Sequence, residues 1–313
     1  MNKMHNLTFL LLGFSDIREL QILHFFVFLA LYMIAIIGNL LIVAAILLDH
    51  HLHTPMYFFL LNLAMLDVGT ISVMVPKSMA ISLSGSRYIS YFGCVAQVFF
   101  LYLFGTSDFA LLTIMAHDRY VAICNPLHYE TIMHKGACLQ MVAIGWVVGL
   151  FAAILHAGST FANTFCSNDV NQFFCEIPKL LKISCSDFYL VEVWLLVLTF
   201  SIGTGCFIFI IITYMQIFSA VLRIPSVQGQ KKLLSTCLPH LTVVSVLIFT
   251  GIFAYAKPPN DASSDLDIAF AGIYTIIPPT LNPFIYSMRN KEIKTALWKL
   301  LDLGPSKTLF RVL

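Results

Sequence analysis

The sequence predicts an all-α membrane protein: a bundle of seven transmembrane helices with a short interfacial eighth helix. Apolar residues make up 59% of the 313 positions and charged residues only 11%, whereas charged residues make up about 25% of an ordinary soluble domain. The apolar residues are gathered in seven segments of about 20 residues or more, the length that a helix needs to cross a hydrocarbon core of about 30 Å. Backbone groups find no water there, so the segments should be helical.

We predict a single domain over residues 1–313, because the inner loops are too short for a second folded unit. The amino-terminal segment 1–22 and a long cysteine-containing loop, 161–192, lie on one side of the membrane, and the segment 289–313 lies on the other. The predicted spans are 23–48, 56–75, 94–115 with an extension to 124, 139–160, 193–218, 233–256 and 268–288.

Basic residues predict the orientation of the bundle. If the amino terminus lies outside the cell, inner segments carry eleven of the eighteen lysines and arginines, in agreement with the positive-inside rule. The sequon Asn6-Leu7-Thr8 agrees, because glycosylation occurs on the lumenal side. We therefore predict a plasma-membrane protein with an extracellular amino terminus and a cytoplasmic carboxyl terminus. The inner basic residues are Arg119, Lys135, Arg223, Lys231, Lys232, Arg289, Lys291, Lys294, Lys299, Lys307 and Arg311.

The third span ends in the triplet Asp118-Arg119-Tyr120, where a helix should meet water. The arginine has five donors and keeps its charge, so at the membrane edge it needs a partner. Asp118 can serve in a resting state, and a partner segment, or Tyr214 and Tyr286 from neighbouring spans, could replace it in an active one.

The seventh span and the segment after it have their own features. Pro283 follows Asn282 inside the span, which removes one backbone donor and predicts a kink. After the span, Ile293, Leu297 and Leu301 recur at intervals of four with lysines on the other faces. This pattern predicts an interfacial helix over 290–301 on the inner leaflet.

Two acids lie inside predicted spans at one depth. Asp67 lies eleven residues beyond Met56, the inner start of the second span, and Asp108 lies eleven residues before Arg119 at the inner end of the third. Each distance is roughly 16 Å at 1.5 Å per residue. An ionised acid at the bilayer centre costs at least ~2.5 kcal/mol, so such residues usually face the bundle interior. One interpretation is a bound sodium ion with Asn39 and Asn282 adding oxygens; the other is a hydrogen-bonded core with one acid protonated.

Cysteines and glycines constrain the packing. Four cysteines lie outside, in oxidising surroundings, and allow three disulfide pairings between which the residues alone do not choose. The pattern Gly145 to Gly149 predicts a close helix contact, either within the bundle, which we favour, or with another protomer. The outer cysteines are Cys94, Cys166, Cys175 and Cys185, and buried thiols are expected at Cys124, Cys138, Cys206 and Cys237.

The outer halves of the third, fifth, sixth and seventh spans carry almost no charge, so a charged ligand would lack a buried partner. We predict a pocket for small, mostly neutral and apolar molecules with one hydrogen-bonding group. Five of its residues share one face of the third span, and the others lie on the helices expected to oppose it. The predicted lining is Leu101, Tyr102, Gly105, Thr106, Phe109, Leu198, Ile202, Gly251, Ile252, Tyr255 and Thr275.

Four blocks, Pro55–Leu60, Met115–Cys124, Ser235–Leu241 and Pro279–Asn290, resemble signatures of the olfactory receptors, a branch of the rhodopsin-like G-protein-coupled receptors. The resemblance extends from the sequon to the last helix. It implies that an odorant binds in the outer half of the bundle, that the sixth helix swings outward, and that a stimulatory, olfactory-type G protein raises cAMP. For a member of this family we expect the disulfides Cys94–Cys175 and Cys166–Cys185. The switch residues implied are Asp118, Arg119, Tyr120, Tyr214, His240, Asn282, Pro283 and Tyr286.

Three positions depart from the family pattern. His117 stands where tyrosine is usual, Pro239 where serine is common, and Ile248 where an aromatic residue is usual. His117 could make coupling pH-sensitive or merely fill the place of the tyrosine.

Other classes of protein fit less well. An enzyme is not expected, since neither G-x-S-x-G nor H-E-x-x-H occurs. A channel or transporter would need charged rings or inverted repeats, which the seven unequal spans do not show. A non-sensory receptor of the same fold for a small neutral ligand remains the main alternative. No organic cofactor is expected.

Overall fold

The computed structural model describes residues 8–13, 17–186, 188–255, 265–289 and 291–302. The predicted glycosylation site Asn6 and the tail from 303 lie outside the described residues. The helices are α1 (Arg18–Leu48), α2 (Pro55–Ser84), α3 (Tyr91–Cys124), α4 (Tyr129–Ile132), α5 (Lys135–Phe161), α6 (Ile177–Lys182), α7 (Tyr189–Leu222), α8 (Val227–Tyr255), α9 (Asp265–Arg289) and α10 (Lys291–Asp302), and the strands are β1 (Thr8–Leu11), β2 (Tyr88–Ser90) and β3 (Asp169–Val170).

Within the described residues, six helices are long and apolar enough to cross a membrane: α1, α2, α3, α5, α7 and α8. The helix α9 is a further long helix of 25 residues with three internal prolines. The largest difference from the predicted spans is in α2, which continues beyond Val75 to Ser84 although Pro76 lies inside it. Membrane helices tolerate such a proline when neighbouring groups satisfy the freed backbone, so Pro76 did not end the helix.

Glycines on α5 allow a close approach to α3. A methyl group at Gly149 would lie 2.6 Å from the Leu103 carbonyl oxygen, a distance at which the backbone would have to move. Nearby, the Ser107 hydroxyl donates to the Gly145 carbonyl at 3.3 Å. The small-residue pattern therefore packs two helices of the same bundle.

A three-stranded sheet in the order β2-β1-β3 lies beside the start of α3. Strand β1 pairs antiparallel with β2 and parallel with β3, and its Phe9 and Leu11 side chains are buried. The sequence did not predict this strand, because four residues carry little periodicity and both partners are distant in the chain. Residues Thr8–Leu11 thus pack as part of the folded domain.

Two disulfides hold the long loop that contains β3 and α6. One joins Cys94 at the start of α3 to Cys175, and the other joins Cys166 to Cys185. This is the pairing expected for a member of the olfactory receptor family. Cys124, Cys138, Cys206 and Cys237 are free thiols.

The helix α10 packs against the ends of α1 and α2. Its Ile293 and Ala296 side chains are buried. The Tyr57 hydroxyl donates to Glu292 at 2.5 Å, and the Lys299 ammonium donates to Asp49 at 3.0 Å. That hydrogen bond from Lys299 lowers the pKa of Asp49, so the aspartate stays charged at neutral pH. The short eighth helix is therefore tied to the bundle by polar contacts as well as by its apolar face.

Candidate functional site

At the inner end of α3, Asp118 has two partners. The hydroxyl of Tyr129, the first residue of α4, donates to Asp118 Oδ1 at 2.8 Å, and Arg119 Nε lies 3.9 Å from Asp118 Oδ2. Burial and the neighbouring Asp118 carboxylate raise the pKa of the Tyr129 hydroxyl, so Tyr129 keeps its proton and can donate. The sequence analysis did not single out Tyr129 as a partner of Asp118. The available signal was its position ten residues after Arg119, on the inner side of the predicted bundle.

Tyr214 on α7 is held by His240 on α8. The Tyr214 hydroxyl lies 2.8 Å from His240 Nδ1, and His240 Nε2 lies 2.9 Å from the Leu112 carbonyl oxygen of α3. A carbonyl only accepts, so Nε2 carries a proton; in the neutral ring Nδ1 then accepts from Tyr214. Three helices are therefore joined through one buried imidazole.

Other residues singled out in the sequence have separate surroundings. Tyr286 on α9 is buried, and its hydroxyl has no hydrogen-bond partner among the described residues. Tyr120 is half-buried, and the His117 ring lies 6.5 Å from that of Phe209 on α7. Ile248 packs against the buried core. Their roles stay predictions.

The amide of Asn282 binds both oxygens of Asp67 in the middle of the bundle. Its Nδ2 atom donates at 3.2 and 2.9 Å, and both side chains are buried. A carboxylate can accept only from the NH₂ end of an asparagine, so the oxygen of Asn282 points away from Asp67. Pro283, next in the chain, packs closely on α1: a methyl group at Gly38 would lie 2.9 Å from its ring.

Asn39 also presents its amide nitrogen. Its Nδ2 donates to the carbonyls of Ala35 at 2.9 Å and Pro279 at 3.0 Å. In this arrangement the hydrogen bonds of Asn39 and Asn282 are made by their amide nitrogens, and the supply of their oxygens to a cation stays a prediction. Asp108 Oδ1 is buried without a hydrogen-bond partner among the described residues. A sodium ion at Asp67 and Asp108 stays a prediction.

A buried ionisable pair lies between α5 and α7, toward the end of the bundle opposite to Arg119. His156 Nδ1 lies 2.5 Å from Glu192 Oε1, with side chains 2% and 0% exposed. The Ser159 hydroxyl donates to Glu192 Oε2, and His156 Nε2 lies 2.9 Å from the Thr199 hydroxyl.

This pair corrects one expectation: Glu192 does not belong to the preceding loop. Because α7 begins at Tyr189 rather than at residue 193, Glu192 falls on a helical face that packs into the bundle. The outer half therefore does contain an ionisable pair, and both side-chain oxygens of Glu192 have hydrogen-bond partners.

Tyr102 on α3 joins this cluster. Its ring stacks on the His156 ring with centroids 4.2 Å apart and planes 30° apart. The nearby loop is held to α3 by Gln97, whose Oε1 accepts from the Cys175 amide at 3.1 Å. Within the loop, Gln172 donates to Glu176 at 3.2 Å, and both are buried.

The predicted ligand-lining residues have mixed surroundings. Leu101, Tyr102, Thr106 and Phe109 are half-buried, and a methyl group at Gly105 or Gly251 would meet no atom within 4 Å, so there is open space beside both glycines. Leu198 and Ile202 are 56% and 59% exposed on α7, whereas Thr275 is buried on α9. The side chains of Ile252 and Tyr255 lie outside the described part of the chain. The lining as a whole stays a prediction.

Comparison with known proteins gives consistent matches. Residues 28–303 match the family described as olfactory receptor. Human olfactory receptor 14A16 is 49% identical over 303 residues, which cover 95% of this chain and 98% of that protein. Human olfactory receptor 14I1 is 50% identical over 302 residues, covering 95% and 97%. Mouse olfactory receptor 5B21 is 44% identical over 310 residues, covering 96% of each chain.

Proposed function

Because the chain belongs to the olfactory receptor family of seven-helix G-protein-coupled receptors, we propose that it binds a small, mostly neutral odorant and activates a stimulatory G protein that raises cAMP. Family membership makes the protein a multi-pass odorant receptor rather than an enzyme, and it confirms the predicted fold class. The choice of G protein, the class of odorant, the orientation and the roles of individual residues are our proposal.

The inner contacts support a switch that works by exchange of partners. Arg119 meets Asp118 at 3.9 Å, which is long for a strong ion pair, and Tyr214 is engaged by His240. In the signalling state, Arg119 leaves Asp118 for Tyr214, Tyr286 or a segment of the G protein. The outward movement of α8 that carries His240 away from Tyr214 would permit this exchange.

The outer contacts support a neutral ligand. Glu192 is a buried carboxylate bonded to the imidazole that stacks on Tyr102, and both of its oxygens have partners, His156 and Ser159. A cationic odorant would therefore find no unpaired oxygen on Glu192 to offset the loss of its hydration. The hydroxyls of Tyr102 and Thr106, one turn apart on α3, are polar groups that can meet an odorant.

The distribution of charge supports an outside amino terminus. Basic residues concentrate in the segments on the side of Arg119, which the positive-inside rule assigns to the cytoplasm. The switch then faces the G protein, and the disulfide-bonded loop faces the oxidising exterior where such bonds persist.

A cAMP screen over a broad panel of volatile compounds tests the proposal. Cells that display the chain should respond to at least one neutral odorant, and Arg119→Ala should abolish the response at equal surface amounts. The matched control is Arg87→Ala, a change of the same kind at the opposite end of the bundle, which should leave G-protein coupling intact. An undiminished response from Arg119→Ala would remove Arg119 from the switch.

A further inference from the structure

The His156–Glu192 pair joins α5 to α7 and leaves no freedom to the imidazole ring. Both ring nitrogens have partners, Glu192 at 2.5 Å and Thr199 at 2.9 Å. The second carboxylate oxygen accepts from Ser159. A ring with both nitrogens bonded cannot rotate without breaking two contacts, one of them to a carboxylate, and charge-assisted hydrogen bonds are the stronger kind.

Burial of the pair needs a reason beyond helix packing. Two apolar side chains of similar size would join α5 and α7 without the desolvation of an ionisable pair. Ionisable residues inside a membrane protein mark functional sites by default, together with their partners. The group that contacts the pair from the third helix is Tyr102, stacked on the imidazole at 4.2 Å.

Stacking on a fixed ring fixes the plane of the tyrosine ring. The position of the Tyr102 hydroxyl then follows, since the oxygen lies in the ring plane. Among the described residues, this hydroxyl makes no hydrogen bond, whereas the Tyr129 and Tyr214 hydroxyls are both engaged. A phenol O–H is a good donor, so the natural partner for it is an acceptor on the bound molecule.

We propose that His156 and Glu192 are positioning residues that hold Tyr102 for donation to a carbonyl oxygen, and so set a preference for aldehydes, ketones or esters over the matching hydrocarbons. The inference rests on the proposed odorant-receptor function and names the odorant class. His156 and Glu192 do not themselves touch the odorant; they act through the orientation of the Tyr102 ring.

The test compares one carbonyl odorant from the screen with its deoxygenated analogue, and the measured quantity is the ratio of their half-maximal concentrations. Tyr102→Phe removes the donor and should reduce the preference for the carbonyl roughly tenfold, the value of one hydrogen bond. The double variant His156→Phe/Glu192→Leu keeps an aromatic face for stacking and removes both ionisable groups, so neither partner is left buried alone.

The double variant should lose most of the carbonyl preference, and addition of Tyr102→Phe to it should cause little further loss. Ser201→Ala is the matched control on α7, because its hydroxyl bonds only to its own helix, at Val197; it should keep the preference. Should the double variant fail to reach the surface, Glu192→Gln replaces it and should reduce the preference by roughly threefold, because a neutral hydrogen bond fixes the imidazole less firmly.

The positioning role of His156 and Glu192 would be overturned if Tyr102→Phe reduces the carbonyl preference but the variants of the pair leave it intact. If Tyr102→Phe keeps the full carbonyl preference, Tyr102 is not the donor. Silence of the unmodified chain to the whole panel, at normal surface amounts, would instead overturn the proposed function, so the two failures are distinguishable.

Discussion

Replacement of His240 by phenylalanine should raise signalling in the absence of odorant. The change removes the acceptor of the Tyr214 hydroxyl, now held at 2.8 Å in a buried site, and keeps an aromatic ring of similar shape. A buried hydroxyl without a partner costs about 1–3 kcal/mol. In the proposed signalling state Tyr214 pairs with Arg119, so this cost falls on the resting state alone.

The size of the effect follows from that difference. A cost of about 1.4 kcal/mol to the resting state raises the ratio of signalling to resting receptor roughly tenfold. The assay is basal cAMP in cells that display equal amounts of the unmodified chain and of His240→Phe, read against the maximal odorant response to fix the scale.

A second variant separates the switch from simple damage. His240→Phe/Tyr214→Phe leaves no stranded hydroxyl and also removes the tyrosine that would pair with Arg119, so basal cAMP should return to the unmodified level or below it. Basal cAMP that is unchanged or lower in His240→Phe alone would refute the exchange of partners, because the resting contact would then contribute nothing to the balance of states.

Three further predictions concern packing, the outer sheet and the buried acids. Gly149→Ala should destabilise the purified receptor by about 1–3 kcal/mol through overpacking against the Leu103 carbonyl, which lowers its melting temperature. The control is Gly158→Ala, where a methyl group meets no atom within 4 Å. Equal melting temperatures of the two variants would contradict the close contact at Gly149. Phe9→Ala should cost the outer sheet about 3–5 kcal/mol and reduce surface delivery seen by flow cytometry. Tyr88→Ala, which removes an exposed aromatic side chain from the neighbouring strand β2 and leaves the sequon intact, should not. Equal delivery of the two variants would mean that β1 contributes little. Asp67→Asn should abolish any effect of sodium on basal cAMP, and a sodium effect of unchanged size would defeat the cation interpretation.

Much of the fold follows from the sequence because membrane helices are specified locally. A run of some 20 apolar residues determines a spanning helix whatever its neighbours are, and the described helices cover the predicted spans to within a turn or two at most ends. The small-residue contact of Gly145 and Gly149 also follows from spacing. The strand β1 does not, because its partners Tyr88–Ser90 and Asp169–Val170 are brought to it only by the folded loops.

The functional residues divide in the same way. The triplet and Asn282 lie in motif blocks that the sequence displays, and Tyr214 is a candidate through the family resemblance. The sequence pattern starts α7 at residue 193, four residues late, and so places Glu192 in a loop, because the helical face of a residue depends on where the helix begins. The orientation of the Asn39 and Asn282 amides depends on acceptors from other helices, which no single sequence displays.

The most direct test of the central claim is odorant-evoked cAMP in cells from which the stimulatory G-protein α subunits have been removed, measured before and after one of them is returned. The receptor should be silent to its odorant without the subunit and should respond when the subunit is restored, with Arg119→Ala silent in both conditions. A response of equal size without the subunit, or an ionic current evoked by the odorant in its absence, would contradict the account.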